Sequence, residues 1–110
     1  MIEQRRYQRV PYFRPLQVSV LPNGPIFPAN SFDISRGGVG LMAAVSLQRG
    51  QSVAVLFKLQ DQQRQPVDVR VMGKVAYTRA DENGNYVGIE FLEPVSESSQ
   101  PLLAHVLDNL

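Results

Sequence analysis

The residues best suited to chemistry in this chain are cationic and clustered. Arg5, Arg6 and Arg9 fall in the stretch Arg5-Arg6-Tyr7-Gln8-Arg9, ahead of any segment patterned like a core element. Guanidinium forks hold phosphate oxygens and carboxylates through charge-assisted, often bidentate hydrogen bonds. A second polar cluster, Asp33-Ile34-Ser35-Arg36-Gly37-Gly38, follows after one hairpin's length of chain. Asp33 and Ser35 can bond their own backbone and hold a tight turn. The glycines allow positive φ and the close approach of a ligand. The same cluster can also read a base. Guanine offers N1–H and N2–H donors to a carboxylate such as Asp33, and its O6 and N7 match an arginine fork. Backbone N–H groups of a glycine-rich turn can face an anion. Arm and turn together are complementary to a guanine nucleotide with exposed phosphates.

Composition narrows the alternatives. Eleven Lys plus Arg against ten Asp plus Glu leave a net charge of +1, so no global field draws the chain to nucleic acid or to an anionic membrane. Anion binding must be local. With no cysteine and a single histidine, His105, there is no disulfide and no metal cluster to build. His105 reads as a bystander on the outer face of a helix. Ser35 has no histidine partner close in sequence, and the Gly-rich turn lacks the lysine and spacing of a P-loop, so catalysis is not expected. A β-barrel that holds RNA or single-stranded DNA needs a positive groove and exposed aromatics; near-zero charge and the absence of tryptophan argue against it. No apolar run approaches the ~18 residues of a membrane span, and no hydrophobic segment follows the basic start. A cytoplasmic location is expected.

The elements that must position these residues are short. The 110 residues fit one domain of roughly 100–200 residues. Turn formers recur throughout, among them Pro22-Asn23-Gly24-Pro25, Gly37-Gly38, Gly50 and Asn83-Gly84, and Val, Ile and Leu fill the gaps. That pattern predicts an all-β sandwich or barrel. Strands are predicted over 16–21, 26–32, 39–43, 52–59, 67–77 and 86–91. Pro28 marks an edge or bulge, Gly73 a bend, and 81–85 a hairpin loop whose Asn-Gly supplies positive φ. Residues 98–110 have cap residues, an early proline and apolar positions at helical spacing. They predict a C-terminal helix with Leu103, Val106, Leu107 and Leu110 facing inward.

In combination the two clusters resemble the PilZ family, receptor domains for the bacterial second messenger cyclic di-GMP. Arg5-Arg6-Tyr7-Gln8-Arg9 is similar to the family's R-x-x-x-R, and Asp33-Ile34-Ser35-Arg36-Gly37-Gly38 to its [D/N]-x-S-x-x-G. Gly88-Ile89-Glu90-Phe91 looks like its G-[IV]-x-F strand. Val75-Ala76-Tyr77 looks like its V-x-W segment, with tyrosine for tryptophan.

The resemblance covers nearly the whole chain. It implies a stand-alone domain over residues 1–110, a six-stranded antiparallel β-barrel with a C-terminal helix, and a flexible basic arm at 1–11. It implies that Arg5 and Arg9 grip guanine and phosphates with Arg6 assisting, that Asp33 and Ser35 bond the guanine edge, and that Gly38 fixes the turn. Arg36 is a weaker phosphate candidate. Tyr77 is expected to pack in the barrel, with stacking on a purine as the alternative. The ligand is cyclic di-GMP, with no further cofactor. The partner is an effector protein that reads the ordered arm, and the receptor is a monomer or a ligand-dependent dimer. The rival within the family is a protein-protein adaptor with weak or no nucleotide binding.

Overall fold

The computed structural model describes residues 7–110, so Arg5 and Arg6 lie outside the described residues. In chain order the elements are β1 (Val10–Pro11), β2 (Pro15–Val20), β3 (Ile26–Ser35), β4 (Gly38–Ala43), β5 (Ser52–Gln60), β6 (Pro66–Asp81), β7 (Gly84–Phe91) and α1 (Pro101–Asp108). Strands β3, β2, β5, β6, β7 and β4 pair antiparallel in that spatial order, and β4 closes back onto β3. The result is the expected six-stranded barrel, with β1 as an additional strand. β1 meets β3 at Ile34 and Asp33, beyond the Ile26–Asn30 stretch that β2 holds. The last two residues of the expected arm are thus part of the sheet.

Alternation of apolar and polar residues explains the closure. Leu16, Val18 and Val20 of β2 point inward, between the exposed Pro15 and Gln17 and the half-buried Ser19. Val53, Val55, Phe57 and Leu59 of β5 do the same. Val39 and Leu41 of β4 pair with Ile89 and Val87 of β7, and all four are buried. Phe57 meets Phe91 edge-on, with ring centroids 6.3 Å apart. Each such side chain contributes about 1.5–3 kcal/mol by leaving water. Pro28 sits where β3 has only β2 beside it, since pairing with β4 begins at Ala29. There its missing N–H costs no ladder bond.

Helix α1 packs on the barrel through Leu103 and Ala104, both fully buried, with Leu102, Val106 and Leu107 partly covered. It is shorter than the sequence pattern suggests. Ser96 and Ser99 spend their hydroxyls on each other and on the backbone, Ser99 Oγ donating to the Pro94 carbonyl at 2.9 Å. They make a turn, and the helix begins at Pro101, suited to the first turn by its fixed φ. At the other end Asn109 closes the helix onto the Val106 and Leu107 carbonyls. Leu110 therefore lies past the helix and is 56% exposed, not inward-facing as expected.

Candidate ligand-binding site

Two bulges build the site. Along β3, Phe27, Ala29 and Ser31 point inward, so uninterrupted alternation would bury position 33. The register instead slips between Ser31 and Asp33, with Phe32 left out of the pairing, and Asp33 turns outward while Ile34 enters the core. Along β6, Val71 and Val75 point inward and would carry Tyr77 with them. A second slip between Val75 and Tyr77, at Ala76, reverses the phase. A one-residue slip moves every following side chain to the opposite face. Tyr77 is consequently 44% exposed. This corrects the expectation that it packs in the barrel, and it moves the bend from Gly73, which stays in register with Phe91.

The two re-aimed side chains end up on one ladder row. Asp33 is paired with Gly40, Gly40 with Gly88, and Gly88 with Tyr77. Both glycines lie under side chains of this row and its neighbour: Asp33 and Tyr86 over Gly40, and Tyr77 over Gly88. A Cβ on Gly88 would lie 2.9 Å from Tyr77 Cδ1, so the bare backbone is what lets the ring lie down on β7.

Arg9 completes one end. Its Nη1 donates to Asp33 Oδ1 at 2.8 Å, with both side chains partly buried. The position follows from β1, which sets Pro11 beside Asp33. The Tyr7 ring lies on Gly37, where an added Cβ would come within 2.8 Å of Cδ2. Ser35 Oγ accepts the Gly37 N–H at 3.1 Å, closing the turn as a serine in this position can. Tyr7, Arg9, Ser35 and Gly37 line an open cleft of about 430 Å³ together with Tyr77, Gly88 and Glu90. That volume is within the range of small-molecule sites.

Of the residues nominated from sequence, Arg9, Ser35 and Tyr77 line this cleft and Asp33 bonds to Arg9. Gly38 has a different reason to be glycine. It is buried, with no positive φ, and a Cβ there would strike the Ile89 carbonyl of β7. It admits a neighbouring strand and does not line the cleft. Arg36 is turned away as well: it donates to the Val95 carbonyl at 3.0 Å and to the Asp108 carboxylate. The hairpin at the end of β6 needs positive φ only at Gly84, at +129°, since the turn itself is Glu82–Asn83 with Asp81 accepting the Asn83 N–H at 2.7 Å.

Sequence reasoning missed Tyr7, Tyr86, Gly40 and the reason for Gly88. Tyr86 stacks on Phe32 at 5.8 Å and 16°, tilts against Tyr77 at 5.4 Å, and carries the Arg79 guanidinium over its ring at 5.6 Å. Burial pushes its phenol above the ordinary value near 10, the Asp33 carboxylate and Tyr77 add to this, and Arg9 opposes it. Its signal in the sequence was its place two residues before Gly88, on the same face of a strand.

Residues 3–108 match the PilZ domain family. The chain belongs to that family. In structure this PilZ domain is similar to the Bacillus subtilis inhibitor of motility, MotI/DgrA, at 20% identity and a TM-score of 0.74. The likeness covers 98% of this chain and 52% of that one. It is also similar to the PilZ domain of YcgR from Escherichia coli with c-di-GMP, at 17% identity and a TM-score of 0.70, covering 96% and 91% of the two chains. The MrkH–c-di-GMP complex of K. pneumonia matches at 15% identity and a TM-score of 0.65, over 98% and 53%. The PilZ domain thus spans about half the length of MotI/DgrA and of MrkH. No curated protein matches it. At these identities the likeness is one of fold, and the site must be argued from its own residues.

The PilZ cleft can accept donors at Ser35 and Glu90, donate from Arg9, and offer aromatic faces at Tyr7 and Tyr77. Ser35 Oγ already accepts one backbone N–H, that of Gly37, and His105 is exposed on α1. No nucleophile and base meet in it among the described residues. No described helix is long and apolar enough to cross a membrane.

Proposed function

We propose that this PilZ domain is a receptor for cyclic di-GMP. The observation that carries the reading is the row Asp33–Gly40–Gly88–Tyr77, capped by Arg9 at the acidic end. A carboxylate and, further along the same row, an aromatic ring match a purine bonded at its edge and covered on its face. The arginine beside the carboxylate matches the phosphate or the O6/N7 edge. Arg9 acts with Arg5 and Arg6 on the guanine and phosphates, Asp33 and Ser35 bond the guanine edge, and Tyr77 stacks. Arg36 serves the helix and not the ligand. The domain acts by binding, without catalysis.

In this reading the Arg9–Asp33 pair is the resting arrangement, and the ligand takes over one or both partners. Hydrogen bonds to charged groups contribute about 1.5–3 kcal/mol each. Several of them offset the ~1–2 kcal/mol per residue needed to fix the basic arm over the ligand. The arm and its surroundings then present a changed face to an effector protein.

Isothermal titration with cyclic di-GMP, with GTP and cyclic di-AMP as controls, tests this. Saturable binding selective for cyclic di-GMP is expected, and size-exclusion chromatography of the complex separates a monomer from a ligand-dependent dimer. Absence of heat and of competition at high micromolar ligand would leave the adaptor reading in its place.

A further inference from the structure

Tyr86 is held more firmly than a surface tyrosine needs to be. Its ring is stacked on Phe32, tilted onto Tyr77 and covered by Arg79. Its hydroxyl reaches across β4 into the space that Gly40 leaves open. A Cβ on Gly40 would collide with that hydroxyl and would lie 2.5 Å from Asp33 Oδ1. The phenol oxygen and the carboxylate oxygen thus border the same one-atom gap. Phe32, which forms one wall of the ring's slot, is the residue expelled by the β3 bulge, and Tyr77, which forms another, follows the β6 bulge. The residue that links the two bulges is Tyr86.

We propose that Tyr86 is a positioning residue of the ligand site, its hydroxyl fixing where the Asp33 carboxylate stands and its ring holding Tyr77 down on Gly88. The inference rests on the receptor reading for its consequence, namely selectivity, but not for the contact itself. The groups that face the phenol are Asp33 from β3, Arg9 from the segment before β1, and Tyr77 and Arg79 from β6. Asp33 acts on the phenol through its charge, while the phenol's side-chain hydrogen bond is to Tyr77, so the hydroxyl borders the carboxylate across the Gly40 gap without bonding to it. Without it, Asp33 has Arg9 alone to orient it.

Two measurements on the whole chain decide this. The first titrates the phenols by NMR with ring-labelled tyrosine in the wild type and in Asp33→Asn, without ligand. The resonance assigned to Tyr86 by Tyr86→Phe is expected to titrate lower in Asp33→Asn; an unchanged midpoint overturns the contact. The second measures cyclic di-GMP affinity in a double-mutant cycle. Tyr86→Phe is expected to weaken binding about three- to tenfold at unchanged thermal midpoint, the range of one lost hydrogen bond. In the Asp33→Asn background the same substitution is expected to cost less, because the carboxylate charge that the hydroxyl borders is gone. Equal losses in both backgrounds, or wild-type affinity for Tyr86→Phe, overturn the proposal. If the wild type itself does not bind, the receptor reading fails, and the phenol titration still decides whether Tyr86 positions Asp33.

Discussion

The Arg36 guanidinium joins the turn between β3 and β4 to the far end of α1, pairing with Asp108 and with the carbonyl of Val95. The β3–β4 turn and the C-terminal helix are therefore joined by a side chain. Both charged partners are substantially solvated, so screening limits the pair to under about 1 kcal/mol. Asp108→Asn is expected to lower stability by about 0.5 kcal/mol. Arg36→Ala, which also gives up the Val95 bond, is expected to cost about 1–2 kcal/mol. Urea unfolding of the two variants checks the order, which reversal would refute. Neither change is expected to alter the affinity for cyclic di-GMP by more than about twofold.

Arg9→Ala removes the charged partner of Asp33 and, in the receptor reading, one grip on the ligand. Cyclic di-GMP affinity is expected to fall about ten- to a hundredfold, with Arg5→Ala in the same range. Circular dichroism should stay that of the wild type, because β1 is held by Val10 and Pro11 and not by the arginine. Full affinity in either variant would remove that arginine from the site.

The glycines of the site separate into two kinds. Gly38→Ala drives a methyl group into the Ile89 carbonyl, a backbone atom that cannot step aside. It is expected to destabilise by about 1–3 kcal/mol, visible as an earlier denaturant midpoint. Gly88→Ala meets only the Tyr77 ring, which is half exposed and can lift. Its expected mark is weaker ligand binding with a smaller loss of stability. If the two variants behaved alike, the distinction between strand packing and ring seating would be void.

Leu103 is fully buried where α1 meets the barrel. Leu103→Ala is expected to cost about 2–5 kcal/mol. Hydrogen exchange should show α1 losing protection before the barrel strands do.

Tyr12 and Tyr86 both titrate above the ordinary phenol value of 10.0, each chiefly because of burial; Arg14 partly offsets the shift at Tyr12, and Asp33 reinforces it at Tyr86. The folded state favours the neutral phenol, so this stability is complete below pH ~10 and is lost as pH rises through the raised values. Unfolding midpoints are expected to be insensitive to these groups at neutral pH and to fall above pH ~10. Tyr86→Phe should make that alkaline decline shallower. An identical alkaline slope in the variant would contradict the assignment.

The barrel was legible because its strands alternate locally: Leu16-Gln17-Val18-Ser19-Val20 states its inner face in five residues. Asp33, Ser35 and Arg9 were legible because their side-chain chemistry is explicit and β1 does bring arm and turn together. Tyr77 was misplaced because strict alternation from Val75 buries it, and nothing about Ala76 announces a bulge. Gly40 and Gly88 were opaque for a different reason. Each reads alone as a weak strand residue, and their meaning appears only when β4 and β7 lie side by side. The helix was found but overextended, because Ser98 and Leu110 fit its pattern while Ser96–Ser99 and Asn109 set its real limits.

Pairing of Val10 and Pro11 with Ile34 and Asp33 makes the meeting of Arg9 and Asp33 an intramolecular event. A tether this short presents the guanidinium at an effective concentration in the millimolar range. The guanidinium then never has to find the carboxylate by diffusion. In the receptor reading the same tether matters to the ligand, because an Arg9 that lets go stays close enough to rebind before the nucleotide escapes.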